Sequence, residues 1–141
     1  MKLIFLDIDG VMTSDTGKLN KVTHYPFSIS CVSVLNEILK TNDVKIILTS
    51  SWRTVFNAET QDLIFKENGV IQTPAGQTKN IGYNHRNLEI KDYLQKRNVE
   101  SFVILDDMLI EGFDENFVHI NPKYGLTETY IEKINQILKT V

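Results

Sequence analysis

The chain of 141 residues has one cysteine, one tryptophan, three prolines and no long apolar run. A lone cysteine, Cys31, excludes an intramolecular disulfide and makes a reducing, cytoplasmic setting the simplest expectation. The apolar run near the start follows Met-Lys directly and is too short for a signal-peptide core or a membrane span, so a soluble protein with no membrane partner is expected. Neither sign of charge dominates: 15 basic against 18 acidic residues leave a net charge of -3. That balance does not advertise nucleic-acid binding, although a local cluster could still contact phosphates. Hydrophobic residues at 42% and charged residues at 23% exclude a disordered chain and give no sign of a fibre or repeat. The length fits one ordinary domain, 1–141, burying about two thirds of its extended surface.

What is present is organised around Leu3 to Val11, LIFLDIDGV. An unbroken apolar run this short has the pattern of a strand buried on both faces of a parallel sheet. Asp7 falls at its C-terminal end, the edge at which open α/β sheets bind ligands. Gly10 gives the backbone freedom to turn and bring Asp9 back beside Asp7. Two such carboxylates can hold Mg2+, a hard ion that takes one or two carboxylates with phosphate oxygens and water. They can also divide chemical roles, one ionised as nucleophile and its neighbour held protonated as general acid and then base. An acidic turn that merely caps the next element is the plain alternative.

The rest of the chain repeats the theme. Met12 to Ser30 is rich in Thr, Ser, Asn and Lys and is expected to be an extended loop over the strand end, carrying Lys18, Lys21, His24 and Tyr25. Helical spacing marks Cys31 to Lys40, with Ser28 or Ser30 as its cap. Val44 to Leu48 is a second buried strand, ending in Thr49, Ser50 and Ser51, hydroxyls suited to anion binding or to capping. Arg53, just beyond, could reach a phosphate or form a surface ion pair. A helix over Glu59 to Asn68 stops at Gly69, Val70 and Ile71 are expected to form a brief third strand, and Gln72 to His85 is a second polar excursion. Another helix, Asn87 to Arg97, leads to SFVILDD, a strand over Phe102 to Leu105 closed by Asp106 and Asp107. Paired carboxylates after a buried strand are costly unless a cation or hydrogen bonds compensate. Phe117 to Ile120 is the last expected strand, and Thr127 caps a final helix with Ile131, Ile134, Ile137 and Leu138 inward.

Strands alternating with helices imply right-handed crossovers and an α/β, three-layer, Rossmann-like fold: a central parallel sheet with helices on both faces and no separate cap domain. With the first strand central, Asp7, Asp9, Thr49, Asp106 and Asp107 converge on one switch point. Acid to hold a metal and hydroxyl to hold a phosphate describe phosphoryl transfer.

The order DIDGV, LTSSWR, a basic residue before a helix and VILDD resembles the haloacid dehalogenase-like (HAD) hydrolases from Leu3 to Ile120, and the terse layout is similar to the phosphatase-like domains of multidomain RNA repair proteins. The resemblance implies a Mg2+-dependent phosphomonoester phosphatase in which Asp7 forms an aspartyl-phosphate and Asp9 is general acid and base, its main-chain carbonyl also on the metal. Thr49, or Ser50 if the register differs by one, would hold the phosphoryl group, and Asp106 with Asp107 would complete the Mg2+ site. Gly10, Ser50, Arg53 and Lys79 are the remaining substrate-binding candidates. For the cation that the family places beside the nucleophile, Arg86, Lys79 and Lys91 compete, and Arg86, at the entrance to a helix, is preferred. The implied substrate is a phosphorylated molecule, a nucleic-acid end or a nucleotide, because an uncovered site accepts large substrates. A signalling receiver would need the reverse order of its acidic residues, and a silent phosphate-binding or regulatory domain would not need both Asp7 and Asp9.

Overall fold

A computed structural model describes residues 1–82 and 84–139. Five strands form one parallel sheet in the order β3-β2-β1-β4-β5. The strands are β1 (Lys2–Leu6), β2 (Lys45–Leu48), β3 (Gly76–Gln77), β4 (Ser101–Asp106) and β5 (Phe117–His119). Helices α1 (Ile29–Thr41), α2 (Trp52–Val55), α3 (Ala58–Glu67), α4 (Arg86–Gln95) and α5 (Ile131–Lys139) connect or flank them, with a 3-10 turn at Glu128–Tyr130.

The layers follow from alternation along the strands. Ile4 and Leu6 of β1 join Ile46, Leu48, Val103 and Leu105 on one face, packed by Cys31, Leu35 and Ile38 of α1, Ile64 and Phe65 of α3, and Ile134 and Leu138 of α5. Leu3 and Phe5 join Ile47 and Ile104 on the other face, packed by Ile90 and Tyr93 of α4. Both faces of β1 are therefore dry, as its unbroken apolar sequence requires. Each fully buried Leu, Ile or Phe there contributes about 1.5–3 kcal/mol relative to an exposed one. No cap domain stands over the sheet among the described residues.

Two local expectations are corrected. Val70 and Ile71 form no strand. Gly69, at φ 81°, ends α3 with a left-handed turn; Val70 then plugs the core while Ile71 is exposed. The edge strand is Gly76–Gln77 instead, in register with Ile47 and Leu48. The segment from Met12 to Ser30 is not simply an unpacked flap. Met12, Phe27 and Ser28 are fully buried, and a bridge between Leu19 and Ser28 folds the stretch between them into an antiparallel loop.

Candidate functional site

The sheet hydrogen bonding runs one residue past the ends of its strands. Thr49 N–H donates to the Leu6 carbonyl at 3.0 Å, Asp7 N–H to Leu105 at 3.1 Å and Thr78 N–H to Leu48 at 3.0 Å. With Leu6 paired to Leu48 and to Leu105, residues Thr78, Thr49, Asp7 and Asp106 occupy one row across the C-terminal edge. Adjacent strands stand about 4.8 Å apart, so this register brings the Thr49 hydroxyl and the two carboxylates side by side. By alternation the row shares the face of Phe5 and Ile104, beneath the start of α4.

Asp7 is 5% exposed and Asp106 is completely buried. Asp106 Oδ1 accepts from Met108 N–H at 2.9 Å, and its Oδ2 accepts from Arg86 Nη1 at 2.8 Å. The same Arg86 nitrogen lies 3.4 Å from Asp7 Oδ2, so one guanidinium bridges both carboxylates. Burial, reinforced by the charge of Asp106 and opposed by Arg86, pushes the Asp7 carboxyl up to about 8. Burial also raises Asp106. Arg86 itself is raised: burial works against its charge, but the two aspartates outweigh it.

Carboxylate oxygens of Asp7, Asp106 and Asp107 lie within 4.8 Å of one another. Three acids served by one arginine leave the cluster short of positive charge; burial first, and the neighbouring acids after it, raise the pKa of both Asp7 and Asp106. A hard divalent cation with oxygen ligands is the group this donor set suits, so the residues fit Mg2+.

Asp9 is exposed and takes a hydrogen bond from Trp52 Nε1 at 3.2 Å. The turn that carries it is closed by the Ile8 carbonyl, which accepts from the N–H groups of Val11, Met12 and Thr13. Gly10 has φ 82° and lies so close to Asp107 that a Cβ would meet its carboxylate. Thr49 is completely buried, and among the described residues its hydroxyl is the buried side-chain oxygen left without a hydrogen-bond partner. An orphaned hydroxyl costs about 1–3 kcal/mol, a debt that a bound phosphoryl oxygen would cancel. Ser50 is also buried, its hydroxyl accepting from Trp52 N–H at 3.2 Å as α2 begins.

The other sequence candidates lie elsewhere. Arg53 is not at the surface but inside: Nε donates to the Thr78 carbonyl, Nη1 to the carbonyls of Thr49 and Ser50, and Nη2 to Glu89 Oε2 at 2.7 Å. It grips the backbone behind Thr49 rather than facing the sheet edge. Lys79 is exposed on the loop after β3, and Lys91 is exposed on α4, whereas Arg86 reaches the carboxylates. Glu89 was not singled out by sequence reasoning, because a glutamate inside a helix gives no sign of burial; its Oε2 also accepts from Ile81 N–H at 2.8 Å, tying the loop after β3 to α4. Trp52 as the partner of Asp9 was equally unforeseen, though its place directly after the hydroxyl run was a usable signal.

Neither the curated proteins nor the solved structures hold a match to the chain. The family model described as the HAD domain in Swiss Army Knife RNA repair proteins matches residues 3–131, from the first residue of the buried strand motif to the start of α5. A match over that span, on a parallel sheet whose edge gathers Asp7, Thr49 and Asp106, shows that the chain belongs to this family of HAD domains.

Proposed function

We propose that the protein is a Mg2+-dependent phosphomonoester phosphatase that works through a covalent aspartyl-phosphate on Asp7. The observation that carries this reading is the juxtaposition of a buried, partnerless Thr49 hydroxyl with a buried Asp7 in the same register row. An electron-rich oxygen and a hydrogen-bond donor side by side are what transfer of a phosphoryl group to a carboxylate needs.

Asp7, Asp106 and Asp107 would hold Mg2+, with the Asp9 main-chain carbonyl as a further ligand. When bound, the ion neutralises charge on the cluster and on the phosphoryl oxygens. Asp7 attacks phosphorus through a carboxylate oxygen, and the bond from phosphorus to the ester oxygen breaks. Asp9, exposed at the mouth of the site, gives a proton to the departing alkoxide. It then removes a proton from the water that attacks the aspartyl-phosphate, so that phosphate leaves and Asp7 is regenerated. Thr49 donates its hydroxyl to a phosphoryl oxygen, and the Ser50 hydroxyl and the backbone freedom of Gly10 shape the same pocket. Arg86 orients Asp7 and favours its ionised form against the effect of burial, while Asp106 is held in turn by Met108 N–H. Lys79, exposed on the loop after β3, is proposed as a further contact for the substrate rather than for the carboxylates.

The substrate class we propose is the phosphorylated end of a nucleic acid. The family's description as part of RNA repair proteins supports it, and so does a sheet edge without a cap domain among the described residues. Among the described residues, no helix is long and apolar enough to cross a membrane, and Cys31 is free and buried. Both suit the cytoplasmic enzyme we propose. Phosphate release from a phosphate-ended oligonucleotide, from a free nucleotide and from a small aryl phosphate, each with Mg2+ or chelator, tests the reading. Metal-dependent release that is fastest from the oligonucleotide is expected. No release from any of the three overturns the phosphatase assignment, and faster release from the free nucleotide overturns the polymer.

A further inference from the structure

Beside Asp9 the protein carries an aromatic cluster that the chemistry of phosphoryl transfer does not use. The ring centroids of Tyr25, Trp52 and Phe56 lie 4.8–6.1 Å apart in a mutual triangle, each pair inclined at 60–72°. Phe27 and Phe65 continue it into the core, which anchors it. Its outer member does not share that burial: Tyr25 is 44% exposed. Its inner member touches the site, because Trp52 Nε1 donates to Asp9 Oδ2. Contact by contact, the cluster runs from the general acid of the proposed reaction outward to solvent.

The loop that delivers Tyr25 has a one-sided charge. From Thr16 to Asn36 the sequence contains no Asp or Glu, while Lys18, Lys21 and His24 are all exposed on the stretch leading to Tyr25. That stretch is held in place: Asn20 N–H donates to the Phe27 carbonyl, Asn20 Nδ2 to the Glu67 carbonyl, and Thr23 Oγ1 to Glu67 Oε1. The rings are therefore presented on a fixed surface. Tilted aromatic faces flanked by lysines suit a single nucleic-acid strand, whose bases stack on rings irrespective of sequence and whose phosphodiesters need cations.

We infer that Tyr25 and Trp52 form a stacking platform for the terminal base of a single-stranded nucleic acid whose end phosphate sits at Asp7, with Lys18 and Lys21 along the backbone of the strand. This deepens the proposed function and rests on it. The platform gives preference for a strand end over a small phosphoester, which has no base to stack on the rings and no backbone for the lysines to meet. It also explains why Trp52 spends its N–H on Asp9: a base seated on the indole settles beside the residue that protonates the leaving oxygen.

Trp52 is the single tryptophan, so its fluorescence reports on the platform alone. Asp7→Asn protein in Mg2+, in which turnover is blocked, is titrated with a short single-stranded oligonucleotide ending in phosphate, with the same oligonucleotide carrying an abasic terminal residue, and with a phosphotyrosine peptide. The expected result is quenching by the first probe, binding weaker by at least about fivefold for the abasic one, and a similar loss in Tyr25→Ala and Tyr25→Leu but not in Tyr25→Phe. Equal affinity for the base-bearing and abasic ends, or unchanged affinity in both non-aromatic variants, overturns the platform. Tighter binding of the peptide overturns the choice of nucleic acid. Wild-type phosphate release from the phosphate-ended oligonucleotide, a free nucleotide and a small aryl phosphate, measured in parallel, separates the two claims: release without base-dependent quenching retains the phosphatase and rejects the platform, and base-dependent quenching with no release from any of the three retains the platform and rejects the phosphatase.

Discussion

A methyl group on Gly10 would stand 2.4 Å from Oδ2 of Asp107, so the turn after β1 and the turn after β4 are built against each other with no room for a side chain. Because Gly10 also sits at φ 82°, substitution strains the backbone and displaces an acid of the proposed metal cluster at the same time. Gly10→Ala should lose about 1–2 kcal/mol of stability in urea unfolding and bind Mg2+ at least about tenfold more weakly. Unchanged metal affinity would show that Asp107 is not part of the cluster.

Thr49→Val separates folding from function. A hydroxyl buried without a partner is a cost in the free protein, so replacing it with an isosteric methyl should leave stability unchanged or raise it by about 1 kcal/mol. The same change removes the donor proposed for the phosphoryl group and should lower kcat/KM by about 10- to 100-fold. A variant both more stable and fully active would mean that the hydroxyl has no role in substrate binding.

How much of this arrangement is legible before folding depends on the type of signal. The buried strands announce Asp7, Thr49 and Asp106 because each apolar run stops at the residue that matters, and register does the rest. The edge strand is illegible because Gly76 and Gln77 have no apolar pattern; two residues are held there by Ile47 and Leu48 of a stronger strand. Val70 and Ile71 mislead for the opposite reason, being apolar yet outside the sheet: Val70 plugs the core as the chain turns away from α3, and Ile71 is exposed. Arg53 reads as a surface cation because its buried partner, Glu89, lies 36 residues away on another helix.

That pair gives the next expectation. Arg53 and Glu89 are almost wholly buried, with side chains 5% and 3% exposed. Removing one partner strands the other charge, so Arg53→Met or Glu89→Leu should each cost about 3–5 kcal/mol in chemical denaturation. The double variant should recover much of that loss, since neither charge remains, yet its kcat should stay low because the Thr49 and Ser50 carbonyls have lost their grip. Full recovery of both would reduce the pair to packing.

The acid cluster links stability to pH and metal. Asp7 moves from an ordinary 3.8 in the unfolded chain to about 8 when folded, so the folded state holds this proton more tightly. The stabilisation is complete below about 4 and is lost as pH rises toward about 8, and Asp106 shifts in the same direction. In chelator, the melting temperature should fall across that window, with a shallower fall in Asp7→Asn. Mg2+ at pH 8 should restore wild type most and Asp7→Asn least. A wild-type melting temperature that rises steadily with pH in chelator would contradict the buried, cation-poor cluster.

The most direct test is to find the phosphoryl group on the protein. Wild type mixed with a phosphate-ended oligonucleotide and Mg2+ is quenched in acid within the first turnovers, digested and examined by mass spectrometry. One added phosphoryl group on the peptide containing Asp7, absent in chelator and absent in Asp7→Asn, is the result the account predicts. Metal-dependent phosphate release in which Asp7→Asn remains as active as wild type and no peptide gains a phosphoryl group would contradict it.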